Sequence, residues 1–288
     1  MNSQLSERIR LHSANFSKGQ RMIARYIEEH SEQVAFMTAS RLGQTVGVSE
    51  STVVRFATEI GYSGYPALQQ AMQEMIRSKM TSVQRLERTS TTIPMDRLLD
   101  EVLDQDIDIL KRTKENVDRE AFYRAADALV NAKKVYVLGA GSSLALATFM
   151  AHYLRLVFET VHLVEATSEA TILQQMVHVG EGDAVIAISF PRYSKVTMNT
   201  VKFAQDRGAT IVAITDNELS PVYQMAEAAL LAPSEMISFV DSMVAPLSLI
   251  NALLIAVGSR MRSDVSRTFA ELEYIWNAYG VFGKMDDE

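Results

Sequence analysis

Two short stretches place hydroxyl side chains directly after apolar runs, an arrangement that holds anions rather than one that breaks bonds. The first is Gly139-Ala140-Gly141-Ser142-Ser143, which follows the apolar run at 135–138 and leads into a long apolar segment at 144–158. Gly139 and Gly141 stand where a chain must turn sharply from strand into helix. Ser142 and Ser143 fall at the N-cap and first-turn positions of the helix that follows. Backbone N–H groups and two hydroxyls at a helix N-terminus make a site for phosphate or another anion. The second stretch is Ser189-Phe190-Pro191-Arg192-Tyr193-Ser194-Lys195, after the apolar strand at 184–188. Its serines, with Arg192 and Lys195 as positive partners, suit a phosphate or carboxylate on a small polar molecule. Each stretch alone is also compatible with an ordinary turn. The dinucleotide fingerprint GxGxxG is not met, because Leu144 stands where its third glycine belongs.

Other chemistries find little support. With no cysteine there is neither a disulfide framework nor thiolate chemistry. The five histidines (12, 30, 152, 162 and 178) show no HxxxH or HExxH spacing, so neither a metal nor another cofactor is expected. Moving a carbon-bound proton, as an aldose–ketose isomerase does, needs a positioned base. Glu165, Glu169 and His178 are the candidates, and none sits in a motif that separates it from a solvated carboxylate or a structural histidine. No catalytic residue is expected.

The elements that position the two stretches alternate in type. Strands are expected at 135–138, 161–164, 184–188, 210–215 and 228–231, with helices at 144–158, 168–175, 196–207 and 242–262, the last broken near Pro246. This alternation predicts a mostly parallel five-stranded sheet flanked by helices. Ligands bind such sheets at the carboxyl ends of the strands, where both hydroxyl-rich stretches lie. Ahead of the sheet, 95–114 carries an apolar stripe (Leu98, Leu99, Val102, Leu103, Ile107, Leu110) and 118–131 another, suiting helices that cover the sheet or build a subunit interface.

The first 80 residues read differently. Ser17 caps a helix with Met22, Ile23, Tyr26 and Ile27 on one face, and 31–36 suggests a short helical turn. Thr38 caps a helix whose Leu42 and Val46 face inward. Gly47 supplies a left-handed stop, Val48 plugs the core, and Ser49 caps the next helix, at about 50–60. Two helices joined by a short glycine-containing turn form a helix-turn-helix. On the second helix Val53, Phe56, Ala57 and Ile60 pack inward, while Ser51, Thr52, Arg55 and Glu59 face out. The N-terminal part of such a helix enters the DNA major groove. Thr38, Ser49, Ser51, Thr52 and Arg55 are the expected DNA contacts, with Arg55 able to reach a guanine edge or a phosphate.

Charge separates the halves. The chain of 288 residues carries a net charge of −7, yet residues 1–80 hold nine Lys/Arg against seven Asp/Glu, and the remainder nineteen against twenty-eight. This asymmetry suggests separate tasks. The boundaries expected are 1–80 for an all-α helix-turn-helix domain, 81–95 for a Ser/Thr-rich linker, and 96–288 for the α/β domain with its covering helices. No apolar run is long enough to span a bilayer, and the polar N-terminus lacks the core of a secretory signal, so no membrane partner and a cytoplasmic location are expected.

Taken together, these stretches resemble the RpiR/MurR family of bacterial transcription regulators over almost the whole chain. The resemblance is carried by Val46-Gly47-Val48-Ser49-Glu50-Ser51-Thr52-Val53-Val54-Arg55-Phe56 with Gly61-Tyr62-Ser63-Gly64-Tyr65, and by Leu138-Gly139-Ala140-Gly141-Ser142-Ser143. It implies an N-terminal helix-turn-helix domain on operator DNA and a C-terminal SIS (sugar isomerase) domain that binds phosphosugars. It further implies an effector-responsive homodimer or homotetramer. Ser142 and Ser143 then fall on the first ligand loop, and Ser189 and Ser194 bracket the second. The family's second loop looks like Ser-x-Ser-Gly-x-Thr/Ser, whereas here Pro191 replaces a serine and Arg192 the glycine. One hydroxyl is lost and a bulky cation gained, so Arg192 is expected to pair with a second acidic group or with a carboxylate in place of phosphate. The expected effector contacts are Gly141, Ser142, Ser143, Ser189, Arg192, Tyr193 and Ser194. The alternatives are an aldose–ketose phosphate isomerase, and a sugar-binding partner protein without DNA contact. Salt-dependent DNA binding separates both from the regulator.

Overall fold

The computed structural model describes residues 4–79, 83–84, 86–87, 93–165, 168–234 and 238–282. The chain divides into two compact units, Met1–Arg85 and Leu86–Glu288. Most of the linker expected at 81–95 lies outside the described residues.

The first unit is helical: α1 (Gln4–His12), α2 (Lys18–Val34), α3 (Ala39–Val46), α4 (Glu50–Glu59) and α5 (Tyr65–Lys79). Ser17 starts α2 with a capping box, its side chain accepting from the Gln20 N–H while the Gln20 side chain accepts from the Ser17 N–H. A kink at His30 (φ −132°, ψ 33°) sets off residues 31–34 as a short helical turn at the end of α2, as the sequence suggests. Ile23, Ile27, Leu42, Val53, Phe56, Ile60, Leu68 and Met72 form one core, all essentially inaccessible. Tyr65 ties α5 to the α2–α3 connection, its hydroxyl donating to the Met37 carbonyl at 2.8 Å, beside a Gln69 Nε2 bond to the same oxygen. Burial pushes the Tyr65 phenol up to about 12.

The second unit begins with α6 (Leu98–Asn116) and α7 (Arg119–Val130), the latter capped by Asp118 on the Ala121 N–H at 2.9 Å. A parallel sheet follows with its crossover helices: β1 (Val135–Gly139), α8 (Ser143–Leu154), β2 (Val161–Val164), α9 (Glu169–Gln175), β3 (Ala184–Ile188), α10 (Lys195–Asp206), β4 (Thr210–Thr215) and β5 (Ala228–Leu231). The chain ends in α11 (Val244–Arg260) and α12 (Arg262–Tyr279). Strand order is β2-β1-β3-β4-β5 with every pairing parallel. β1, β3 and β4 are buried almost throughout, as strands covered on both faces must be. Alternation divides their side chains: Val135 and Val137 join a core with α7, α8 and α11, while Tyr136 and Leu138 join one with α9 and α10.

The apolar stripe of α6 is only partly covered by the sheet domain: Leu99 (70 %), Leu103 (51 %) and Ile107 (48 %) are exposed, and Ile109 and Thr113 are the buried positions. The stripe is wider than one face, and the sheet domain covers only one side of it. Pro246 does not break α11, because it sits in the first turn where a missing N–H costs nothing. The helix stops instead at Arg260, and α12 leaves it at a bend of 97°. Helix α12, which periodicity alone does not assign, has no buried residue. Among the described residues no single helix is long and apolar enough to cross a membrane.

Candidate functional site

The helix-turn-helix is built as its residue types require. Thr38 accepts from the Arg41 N–H at 3.2 Å to start α3. Gly47 ends it at φ +78°, a left-handed conformation that costs a β-carbon-bearing residue about 1 kcal/mol. Gly43 is buried where the turn folds back, and a Cβ there would lie 2.8 Å from the Val48 carbonyl oxygen. Ser49 then caps α4, accepting from the Thr52 N–H at 3.3 Å and meeting the Ser51 and Thr52 hydroxyls at 2.9 and 2.8 Å.

Ser49, Ser51 and Arg55 are exposed. Arg55 lies along the helix, its Nε donating to the Ser51 carbonyl at 3.3 Å, an exposed bond easily exchanged for a phosphate or base edge. Thr52 is half-buried, and a Cβ added at Gly19 of α2 would lie 3.5 Å from its methyl carbon. The outward face of α4 also carries Val54 (39 % exposed) and Thr58. Neither is among the contacts expected from the sequence, although the helical wheel sets Val54 off the buried stripe. An outward apolar side chain suits a thymine methyl.

At the other site the topology does the positioning. β1 runs beside both β2 and β3, so the sheet changes winding direction between β1 and β3. Gly139 is paired with Ile188, and the loops that follow leave the sheet side by side at this switch point. The structure thus brings Gly141, Ser142 and Ser143 to the same edge as Ser189, Arg192, Tyr193 and Ser194. Gly139 allows α8 to seat directly on β1: a Cβ there would lie 2.5 Å from the Ser143 carbonyl oxygen.

The hydroxyls are not all disposed as expected. Ser142 occupies the N-cap position of α8 without making the capping bond. The Ser143, Leu144 and Ala145 N–H groups bond the carbonyls of Ala140, Gly141 and Ser142 at 3.2–3.3 Å, so a tight turn satisfies donors that Ser142 would have capped. Ser142 Oγ instead donates to Asp241 Oδ2 at 3.4 Å. Ser143 and Ser189 are buried. Ser194 caps α10, accepting from the Thr197 N–H at 3.4 Å. Arg192 is exposed and makes no ion pair with any described residue.

Two further strand ends contribute residues that sequence reasoning missed. Thr215 Oγ1 donates to the Ser189 carbonyl at 2.7 Å, fixing the start of the second loop. Tyr193 OH donates to Asp216 Oδ1 at 2.8 Å and Asn217 Nδ2 to Asp216 Oδ2 at 2.6 Å. Burial raises the Asp216 carboxyl above its ordinary range, partly opposed by these hydrogen bonds. After β5, Asp241 reaches this edge, where it accepts from Ser142 Oγ. A single acid after a strand gives no pattern to read.

The raised Asp216 pKa has a measurable consequence. Below the ordinary carboxylate range both folded and unfolded chains are protonated there. As pH rises the unfolded chain ionises first, so stability falls until the folded-state pKa is passed. Asp216→Asn removes this contribution. Its unfolding free energy relative to wild type is expected to climb as pH increases from about 4 towards neutral, read from urea unfolding over a pH series; a difference flat with pH would refute the assignment.

The candidate isomerase bases are not enclosed. Glu165, Glu169 and His178 are exposed, and Glu169 accepts from Asn199 Nδ2 at 2.9 Å. Among the described residues no cluster of His, Asp and Glu could hold a metal ion.

A helix-turn-helix with an outward polar face, joined in one chain to a small-molecule α/β unit, is the build of a ligand-responsive transcriptional regulator. The helix-turn-helix domain of the rpiR family matches residues 3–79, and the SIS domain matches residues 128–256. The chain belongs to the RpiR family of transcriptional regulators. An HTH-type transcriptional regulator of Caldanaerobacter subterraneus subsp. tengcongensis is 26 % identical over 272 residues, covering 90 % of this chain and 92 % of the relative. HexR, an HTH-type transcriptional regulator of Pseudomonas aeruginosa, is 24 % identical over 213 residues, 73 % of each. Among solved structures, the sugar isomerase domain of an RpiR transcription factor from Sphaerobacter thermophilus superposes with a TM-score of 0.58 at 28 % identity, covering 62 % of this chain and 99 % of that one. Vibrio vulnificus NanR complexed with ManNAc-6P shares the fold, with a TM-score of 0.57 at 22 % identity over 94 % of this chain and 98 % of that one.

Proposed function

We propose that this regulator alters its hold on operator DNA when an acidic sugar metabolite, a sugar phosphate or a sugar acid, occupies the carboxyl edge of its sheet. The observation that carries the reading is the emergence of two hydroxyl-bearing loops at one topological switch point, with the exposed Arg192 on one of them. Gly141, Ser142, Ser143, Ser189, Arg192, Tyr193 and Ser194 are the proposed effector contacts. The NanR structure, which holds a phosphorylated amino sugar, supports this ligand class. Thr38, Ser49, Ser51, Thr52 and Arg55 are the proposed DNA contacts. The chain acts in the cytoplasm as a transcription factor rather than as an isomerase. It works as a homodimer or homotetramer, a state favoured by the exposed Leu99, Leu103 and Ile107 stripe of α6.

Thermal shift with sugar phosphates, sugar acids and their neutral parents tests the effector half. A compound at a hundredfold its Kd stabilises by about 2.7 kcal/mol. Stabilisation by neutral sugars alone would refute the acidic-effector reading. Arg55→Ala tests the DNA half. If Arg55 reads a base, affinity falls by about 1–3 kcal/mol at the preferred sequence and specificity relaxes at one position. If it holds a phosphate, binding weakens evenly and the salt slope drops by about one. Unchanged affinity and slope would remove Arg55 from the interface.

A further inference from the structure

The segment from Arg8 to Gly19, which joins α1 to α2, runs antiparallel beside α4 along one flank. At the start of α4, a Cβ added at Gly19 would lie 3.2 Å from Val48 Cγ1 and 3.5 Å from Thr52 Cγ2. Midway, the Phe16 and Phe56 rings meet at a centroid distance of 5.3 Å. At the far end, Arg8 Nη1 donates to the Ile60 and Gly61 carbonyls at 3.4 and 3.0 Å. Behind this segment α1 and α2 form an open cleft of about 550 Å³. Ile9, Phe16 and Ala24 make its buried floor; Arg10, Arg21 and Arg25 line it, with Glu28 as the acidic residue among them. Lys18, Arg21 and Arg25 are spaced by three and four residues and so share one face of α2, opposite the buried Ile23 and Ile27. All three are exposed and make no ion pair with any described residue.

The width of the DNA groove decides what this face meets. The major groove is about 12 Å across, with a phosphate strand along each border. Packed helices stand about 8–10 Å apart, axis to axis. With α4 in the groove, the segment packed on its flank therefore stands over one bordering strand. We propose that Lys18, Arg21 and Arg25 form a second DNA contact, a clamp on the backbone phosphates of that strand, with the arginine-lined cleft facing them. The stripe from Lys18 to Arg25 covers about 10 Å of helix. Successive phosphates on one strand rise by about 3.4 Å, so the stripe is long enough to meet more than one. Such contacts fix the register of α4 on the duplex and carry no base specificity themselves. This rests on the DNA reading above and extends it from α4 to α2.

The test uses the full-length protein and a duplex that wild type selects from a random pool, with anisotropy titrations over a salt series. Arg21→Gln/Arg25→Gln is expected to bind about tenfold or more weakly at fixed salt, with the slope of log affinity against log salt reduced by about 1.8, some 0.9 for each phosphate lost. Binding should weaken evenly across single-base variants of the site, unlike the position-specific loss expected if Arg55 reads a base. Arg21→Lys/Arg25→Lys keeps the charge and should retain the slope. Unchanged affinity and slope in the glutamine variant, with wild type binding DNA normally, would overturn the proposal and leave the helix-turn-helix reading standing. Equal losses in the glutamine and lysine variants would also overturn it, since charge would then not be the cause. Absence of salt-dependent DNA binding by wild type would overturn both readings.

Discussion

Gly43→Val is expected to abolish operator binding while leaving effector binding intact. Gly43 is buried in α3 where the helix-turn-helix folds back on itself. A Cβ there would meet the Val48 carbonyl oxygen at 2.8 Å, the Glu50 nitrogen at 3.3 Å and the Ser49 carbonyl carbon at 3.4 Å. All three are backbone atoms, so no rotamer change relieves the contact. Overpacking of this kind costs about 3 kcal/mol when the surroundings cannot yield. The displaced atoms carry the Ser49 cap and the entry to α4, so the angle at which α4 meets DNA changes with them. A loss of about a hundredfold or more in affinity, near 3 kcal/mol, is expected, measured by fluorescence anisotropy. The thermal shift given by an effector should persist. Retained operator affinity would mean that the turn is not the geometric determinant of recognition.

The converse is expected of Gly139→Val. A Cβ at Gly139 would stand 2.5 Å from the Ser143 carbonyl oxygen, 2.8 Å from its carbonyl carbon and 3.1 Å from the Ala147 Cβ. The close seating of α8 on β1 would be lost, and with it the path of the loop carrying Gly141 and Ser142. The second unit should lose about 3 kcal/mol or more, and effector-induced stabilisation should vanish. The first unit has its own core and needs no residue of this sheet to complete it. DNA binding by the variant, tested at a temperature below its unfolding, should therefore survive but no longer respond to effector. Intact effector stabilisation in this variant would separate the ligand site from the β1–α8 loop.

Much of this architecture is legible in the sequence because the signals are local. Thr38, Gly47 and Ser49 each satisfy backbone groups within three or four residues of themselves, so their roles follow from spacing alone. The five strands are short apolar runs between turns, and burial on both faces leaves little else for them to be. What escaped depends on contacts distant in sequence. The α6 stripe is apolar on more than one side, and periodicity does not say which side meets the sheet. Helix α12 mixes aromatic and charged residues and buries none of them, so it lacks an amphipathic signature. At the carboxyl edge of the sheet, Ser142 reaches Asp241 across 99 residues and Tyr193 reaches Asp216 across 23. Only the folded sheet brings those partners together. The departure of the second loop from its family pattern is visible in the sequence as Pro191 and Arg192.

The measurement that most directly tests the account is an anisotropy titration of a DNA site that the protein itself selects from a random pool. It is made over a salt series, with and without the acidic sugar that gives the largest thermal shift. The account predicts that log affinity falls linearly with log salt, as phosphate contacts release counterions, and that the sugar changes site affinity at least tenfold. A sugar that binds the protein yet leaves operator affinity within twofold would contradict it.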